Sequence, residues 1–326
     1  MVKKKTLPEE MKAINRINDY AFKRIFGSEE GKEVLINFLN AVLQLPASKE
    51  IKTIELLDRE IDPTYLLDRG ARLDVLAKTV QGTLINIEVQ IGNQYNIDKR
   101  TLYYWAGLYH GQLTQGQQFK ELKKTITINI IAFDWFPDET RYHNKFHIQE
   151  VDTKQLLNED LEIHFLELDK AKKLKRKPQN TLEAWLMYLN NLEGEQLEEI
   201  AMENPAIKKA VTIEQAFMKN KIERRIYELR EKAVRDEISA LAGAKEEGRA
   251  EGKAEGKAEG KAEGKAEGKA EGVQDSICKY LEARFGKASL EAQKKLRTID
   301  DLEKLNWITN RIYKQDTIEE IMELLR

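Results

Sequence analysis

The chain has almost none of the residues that staple small secreted domains. It has a single cysteine, Cys278, which excludes an intrachain disulfide framework and fits a reducing, cytoplasmic setting. It also lacks any apolar run of the roughly 18 residues that a membrane span needs, so no membrane partner is expected. The basic residues after Met1 lead into Leu-Pro-Glu-Glu rather than an apolar segment, so no secretory signal is expected there. Nor is there an excess of either charge sign. Charged residues make up 34% of the sequence, yet the formal net charge is −2. The whole chain therefore exerts no attraction on a polyanion, and any contact with nucleic acid must come from local patches.

What is present is enough for a real core: 326 residues, 41% of them hydrophobic. Asn18 or Asp19 can cap a helix through Phe22 and Ile25, with Gly27 suited to its end. Ser28 is positioned to open a second helix whose apolar face is Val34, Leu35, Phe38, Leu39, Val42 and Leu43, with Pro46 stopping it. From Ile51 the period changes to two. Strands are expected over 54–61, 72–80 and 83–91, then a helix over 96–115 rich in aromatics, a buried strand over 125–136, and weaker strands over 146–151 and 162–168. This order is α/β in character, with a mixed sheet flanked by helices and a mostly helical C-terminal region. The expected organisation is a core over 1–170, a helical extension over 171–244, a spacer over 245–272 and a small helical unit over 273–326.

The spacer is low-complexity. Residues 249–272 are one Arg-Ala-Glu-Gly unit and five Lys-Ala-Glu-Gly units. Every i,i+4 pair of charges is like-with-like, no i,i+3 pair joins opposite charges, and each Gly costs about 0.8–1 kcal/mol relative to Ala in a helix. The expectation is a solvated spacer, part-helical at best, with a long isolated helix as the alternative because Ala, Lys and Glu are good helix formers. Self-association as a homo-oligomer through these C-terminal helices is left open. In the last unit Ile277, Tyr280, Leu281 and Phe285 form one apolar stripe, and Leu302, Leu305, Trp307, Ile308 and Ile312 another. Thr317 begins the final helix.

The chemistry concentrates between Asp74 and Gln90. If Val80, Gln81 and Gly82 form a three-residue hairpin loop, with Gly82 supplying the positive φ, paired residue numbers sum to 162. One face then carries Leu73, Val75, Ala77, Ile85, Ile87 and Val89, entirely apolar. The other pairs Asp74 with Glu88, Arg72 with Gln90, and Leu76 with Asn86. A two-residue loop would oppose apolar to polar residues all along the ladder, so the face that must be buried selects the first register. Two carboxylates directly across neighbouring strands repel unless a cation joins them. Hard oxygen donors of this kind suit Mg²⁺ or Mn²⁺, completed by water and phosphate. A competing reading leaves both as ordinary outward residues neutralised by Arg72.

The layout of Asp74, hairpin and Glu88-Val-Gln90 resembles the PD-(D/E)XK, restriction-endonuclease-like nucleases, and in particular their recombination-promoting nuclease and transposase branch. The likeness also rests on Asn18 to Gly27, Leu73 to Ala77, Asn86 to Gln90, Arg100 to Tyr104, Gln112 to Gly116 and Ile163 to Leu168. It covers roughly residues 15–240, and Leu281 to Gly286 resembles a helical appendage found on such proteins. The resemblance implies a restriction-endonuclease-like core and a metal-dependent DNA endonuclease acting on double-stranded DNA in recombination or transposition. Asp74 and Glu88 would be the metal ligands for Mg²⁺ or Mn²⁺, and Asp74, Glu88, Gln90 and Arg100 the catalytic set. Gln90 stands where the motif usually has lysine. A neutral amide supplies no positive charge, which leaves Arg72, Lys99 or Arg100 to provide it, or else marks a DNA-binding or assembly protein on a degenerate nuclease core. Asp19 is a candidate for the acid on the first helix, or simply its N-cap.

Three weaker signals remain. His143 and His147 share a strand face about 13 Å apart, a poor spacing for one metal ion. Tyr103, Tyr104, Trp105 and Tyr109 could stack on bases or pack in the core. Lys170 to Lys177 holds six cations in eight residues, a patch able to grip phosphate or to sit in solvent.

Overall fold

The computed structural model describes residues 14–57, 74–92 and 96–325. Its centre is a six-stranded mixed sheet. The strands are β1 (Ile54–Leu56), β2 (Val75–Thr79), β3 (Leu84–Gln90), β4 (Thr125–Ile131), β5 (His143–Phe146) and β6 (Leu161–Glu167), in the spatial order β1-β2-β3-β4-β6-β5. β3, β4 and β6 are parallel, and the remaining pairs are antiparallel. The crossover from β3 to β4 is α3 (Ile97–His110), the kind of connection that parallel neighbours require.

The hairpin has the register that its apolar face demands. Val75 pairs with Ile87, Leu76 with Asn86, Ala77 with Ile85 and Lys78 with Leu84. Thr79 N–H donates to Thr83 O at 3.0 Å around the loop 80–82, and Gly82 has φ +88°. Val75, Ala77, Ile85 and Ile87 are fully buried. The expected Leu73–Val89 and Arg72–Gln90 pairs fall on residues outside the described ones, as does most of the expected strand beyond Leu57.

The buried sheet face packs on α1 (Asp19–Phe26), α2 (Lys32–Leu43), α5 (Thr181–Leu189) and α7 (Pro205–Lys219) in one core. Phe26 is its hub, with ring centroids 5.3 Å from Phe38 and 5.6 Å from Trp185. Asn18, rather than Asp19, caps α1, its side chain accepting from Tyr20 N–H at 2.9 Å. Ser28 does not open α2. Its hydroxyl donates to Arg24 O at 2.8 Å and accepts from Gly31 N–H at 3.1 Å, and the helix starts only at Lys32. Gly31 is required at that turn, because a Cβ there would lie 2.0 Å from Ile25 O. Arg16 ties the preceding segment into the core through a bidentate pair with Glu214, at 2.7 and 3.2 Å.

Two strands differ from expectation. β4 stops at Ile131, because the backbone turns to let Trp135 and Phe136 N–H donate to Glu167. β5 lies earlier than 146–151, because pairing with β6 puts Phe146 against Phe136 and Phe165, at 5.5 and 5.9 Å.

The remaining helices are α4 (Leu168–Lys172), α6 (Gly194–Glu203), α8 (Lys221–Phe285), α9 (Leu290–Leu296), α10 (Leu302–Ile312) and α11 (Ile318–Leu324). The chain divides into two compact units, one ending at Ile238 and the other running Ser239–Arg326. In the first, Glu223, Tyr227 and Glu231 of α8 anchor it to the α1 region through Tyr20, Arg24 and Asn15. In the second, Ile277, Leu281, Leu296, Leu305, Ile308, Ile312 and Ile321 form a separate core. Trp307, expected in that stripe, is 45% exposed and stacked under Arg311.

α8 takes the alternative and corrects the part-helical reading: all six repeat units lie within one helix of 65 residues. Nucleation is the costly step of helix formation, and once helix exists on both flanks, Ala, Lys and Glu extend it cheaply enough to offset the glycines. The last unit is not wholly solvated, since Ala270 is 5% exposed and packs on the C-terminal core. Among the described residues no helix is long and apolar enough to cross a membrane.

Candidate active site

The polar face of the β2–β3 hairpin is covered rather than solvent-facing. Asn86 is fully buried and Gln90 is 6% exposed. Leu76 packs with Leu108 and Tyr104 of α3, which lies over this side. Asp74 stands one residue before the first ladder pair, opposite Glu88. Its Oδ2 accepts from Val89 N–H at 2.9 Å, and its Oδ1 lies 3.0 Å from Lys23 Nζ.

Glu88 is the most perturbed group here. Burial, then the neighbouring Asp74 charge, lifts it from the usual carboxylate range to about 8, against the pull of Arg100. Asp74 is raised as well, by burial, with the Val89 N–H and Lys23 opposing. Glu88 Oε1 is buried with no hydrogen-bond partner among the described residues. Two carboxyl groups disfavour each other's ionised form in a pocket that leaves one oxygen unsatisfied, and a cation relieves both penalties.

A divalent ion of the Mg²⁺ or Mn²⁺ kind fits this donor set, which is all hard oxygen. Among the described residues no cluster of three or more His, Cys, Asp or Glu side chains could hold a metal. An ion held by Asp74 and Glu88 would therefore keep most of its positions for water and phosphate oxygen, the pattern typical of Mg²⁺.

Gln90 and Arg100 come together: Arg100 Nη2 donates to Gln90 Oε1 at 2.5 Å, and the Gln90 amide nitrogen is buried without a partner among the described residues. Arg100 also bears on Glu88, since its charge favours the ionised carboxylate. Of the other cations considered, Lys99 is exposed, and Arg72 lies outside the described residues. Asp19 reaches the site from α1, but as the partner of Lys23.

Lys23 is the residue that sequence reasoning missed. It pairs with Asp19 one turn earlier and with Asp74 across the fold. Its trace in the sequence is the i,i+4 acid–base pair on the polar edge of an otherwise apolar helix, a pattern shared with ordinary surface pairs. Tyr104 was considered only as a stacking or packing residue. Burial and the nearby Glu88 and Asp74 charges raise its phenol, so it belongs to the same pocket wall.

The weaker signals are mostly structural. His143 Nε2 and His164 Nδ1 are 2.8 Å apart, and His164 Nε2 lies 2.7 Å from Glu162 Oε1. Glu162 also pairs with Lys124 at 2.5 Å and Lys145 at 2.9 Å, and against its burial the His164 hydrogen bond and then these lysines hold its carboxyl far below the usual range. With two lysines already on Glu162, this cluster ties β5 to β6 rather than binding a metal. Trp105 donates to Thr125 O at 2.8 Å and stacks on Tyr109, while Tyr103 is 51% exposed. In the basic run, Lys170 is buried on Glu167, and Lys173, Arg176 and Lys177 pair with Asp134, Glu183 and Glu199. Only part of that charge is left for phosphate.

A family model described as PD-(D/E)XK nuclease family transposase matches residues 16–244. Neither a curated protein nor a solved structure matches the chain significantly.

Proposed function

Because the chain belongs to the PD-(D/E)XK nuclease family transposases, we propose that it is a metal-dependent endonuclease of double-stranded DNA, acting in recombination or transposition. The observation that carries this reading is the pair of raised, mutually opposed carboxyls at Asp74 and Glu88, with a buried Glu88 oxygen that lacks a partner among the described residues. These two residues would hold Mg²⁺ or Mn²⁺, which when bound supplies a Lewis acid for the phosphate and lowers the pKa of its water. Asp74 is oriented by Val89 N–H, which fixes one oxygen, while the other pairs with Lys23 at 3.0 Å. Arg100, held by Gln90, keeps positive charge beside Glu88 and favours its ionised form. Helix α3 covers part of the polar face through Leu108 and Tyr104, so these half-buried charges are less screened than in open solvent.

The test is nicking of supercoiled plasmid by the purified full chain. Cleavage with Mg²⁺ or Mn²⁺ but not with EDTA, lost in Asp74→Ala and Glu88→Ala, supports the reading. Cleavage that survives both substitutions shows the assigned site to be wrong. The neutral Gln90 favours one alternative, a DNA-binding or assembly protein on a degenerate nuclease core. That reading predicts retardation of duplex DNA without cleavage in either ion.

A further inference from the structure

The site contains a lysine, but not on the strand where the Glu-x-Gln triplet would place one. Gln90 occupies that position, and its carbonyl is committed to Arg100 at 2.5 Å. On the opposite side of the carboxylate pair, Lys23 of α1 brings its ammonium to 3.0 Å from Asp74 Oδ1. Its side chain is 19% exposed, enclosed rather than free in solvent. The helix beneath it is rigidly held: Ala21, Phe22, Ile25 and Phe26 are fully buried on its other side. Asp19, one turn back, pairs with the same ammonium and limits where it can swing.

We propose that Lys23 is the catalytic cation of this site, delivered from α1 in place of a lysine on β3. The inference rests on the nuclease reading above. In hydrolysis the oxygen of a water forms a bond to phosphorus, and the bond from phosphorus to the deoxyribose oxygen breaks. The water's proton passes to solvent, and the leaving oxygen takes one from solvent. Charge builds on the phosphate oxygens between these events. An ammonium beside Asp74 is placed to offset that charge, and the one N–H that Asp19 and Asp74 do not take can contact a phosphate oxygen. Gln90 is a neutral amide and brings no positive charge to this step. Arg100 serves the other carboxylate, Glu88, and is tied to Gln90.

The experiment compares the parent chain with Lys23→Gln and Lys23→Arg in three readouts: plasmid nicking at saturating Mg²⁺, Mn²⁺ affinity by calorimetry, and the thermal midpoint. Losing one such stabilising group costs on the order of 10²–10³-fold in rate, so Lys23→Gln should nick that much more slowly. It should bind Mn²⁺ at least as tightly as the parent, because the ammonium no longer competes for Asp74. Lys23→Arg, which keeps a cation, should fall between the two. Lys23→Gln nicking within about threefold of the parent overturns the proposal. A loss of Mn²⁺ affinity in step with the loss of rate also overturns it, since Lys23 would then only prop Asp74. If Lys23→Gln lowers the thermal midpoint enough to unfold, Lys23→Arg decides, and nicking lost by it in step with Mn²⁺ affinity goes against the proposal. Nicking lost in Asp74→Ala and Glu88→Ala but kept in Lys23→Gln sinks this proposal alone. A parent that nicks in neither ion removes the nuclease reading and the role of Lys23 with it.

Discussion

Glu88 should make ion binding depend steeply on pH. Its carboxyl is lifted from 4.5 to about 8 in the folded chain, so the folded state holds that proton more tightly than the unfolded state does. The stability linked to it is complete below about pH 4.5 and is lost as pH rises through about 8. A divalent ion binds the ionised carboxylate, so near neutrality its entry expels about one proton. Apparent Mn²⁺ affinity should therefore rise about tenfold per pH unit below about 8 and then level off. Between pH 6 and pH 8 the gain is on the order of 50-fold, since about one molecule in a hundred is ionised at the lower pH and about half at the higher. Calorimetry in two buffers of different ionisation enthalpy reads both the affinity and the proton release. Glu88→Gln should abolish the release. An affinity that stays flat from about pH 6 to about pH 8.5, with no proton released, would refute the argument that burial and Asp74 hold Glu88 protonated.

Other outcomes follow from the fold. Gly82→Ala should cost about 1–2 kcal/mol by chemical denaturation, because φ is +88° and the new Cβ would sit 3.0 Å from Lys123 Cγ. Arg16→Ala leaves Glu214 buried and unpaired, and should cost about 3–5 kcal/mol in the same assay. Gly256→Ala and Gly260→Ala, both in open space on α8, should each strengthen the repeat helix by about 0.8–1 kcal/mol. Far-ultraviolet circular dichroism during heating checks this, and unchanged melting of the helical signal would count against a continuous helix.

Much of the site's geometry was legible in the sequence because one face of the hairpin had to be apolar. Val75, Ala77, Ile85 and Ile87 leave a single workable register, and that register sets Asp74 opposite Glu88. Gly82 was legible for a similar reason, as the residue suited to the loop's positive φ. The source of positive charge was not. Lys23 and Asp74 are brought together by the docking of α1 on the sheet, a long-range event that leaves no local pattern. The burial of Asn86 and Gln90 was equally hidden, because alternation marks which face is polar without saying what covers it. Local signals also misplaced elements where a tertiary contact outweighed them. Ser28 bonds back to Arg24 instead of capping α2, β5 follows the Phe146 ring, and the repeat stays helical between two anchored ends.

Diffraction from crystals of the full chain grown with Mn²⁺, measured at the manganese absorption edge, tests the central claim most directly. The account predicts an anomalous peak between Asp74 and Glu88, about 2.0–2.3 Å from an oxygen of each and completed by waters. A peak elsewhere in the chain, or none at a concentration where calorimetry shows binding, would contradict it.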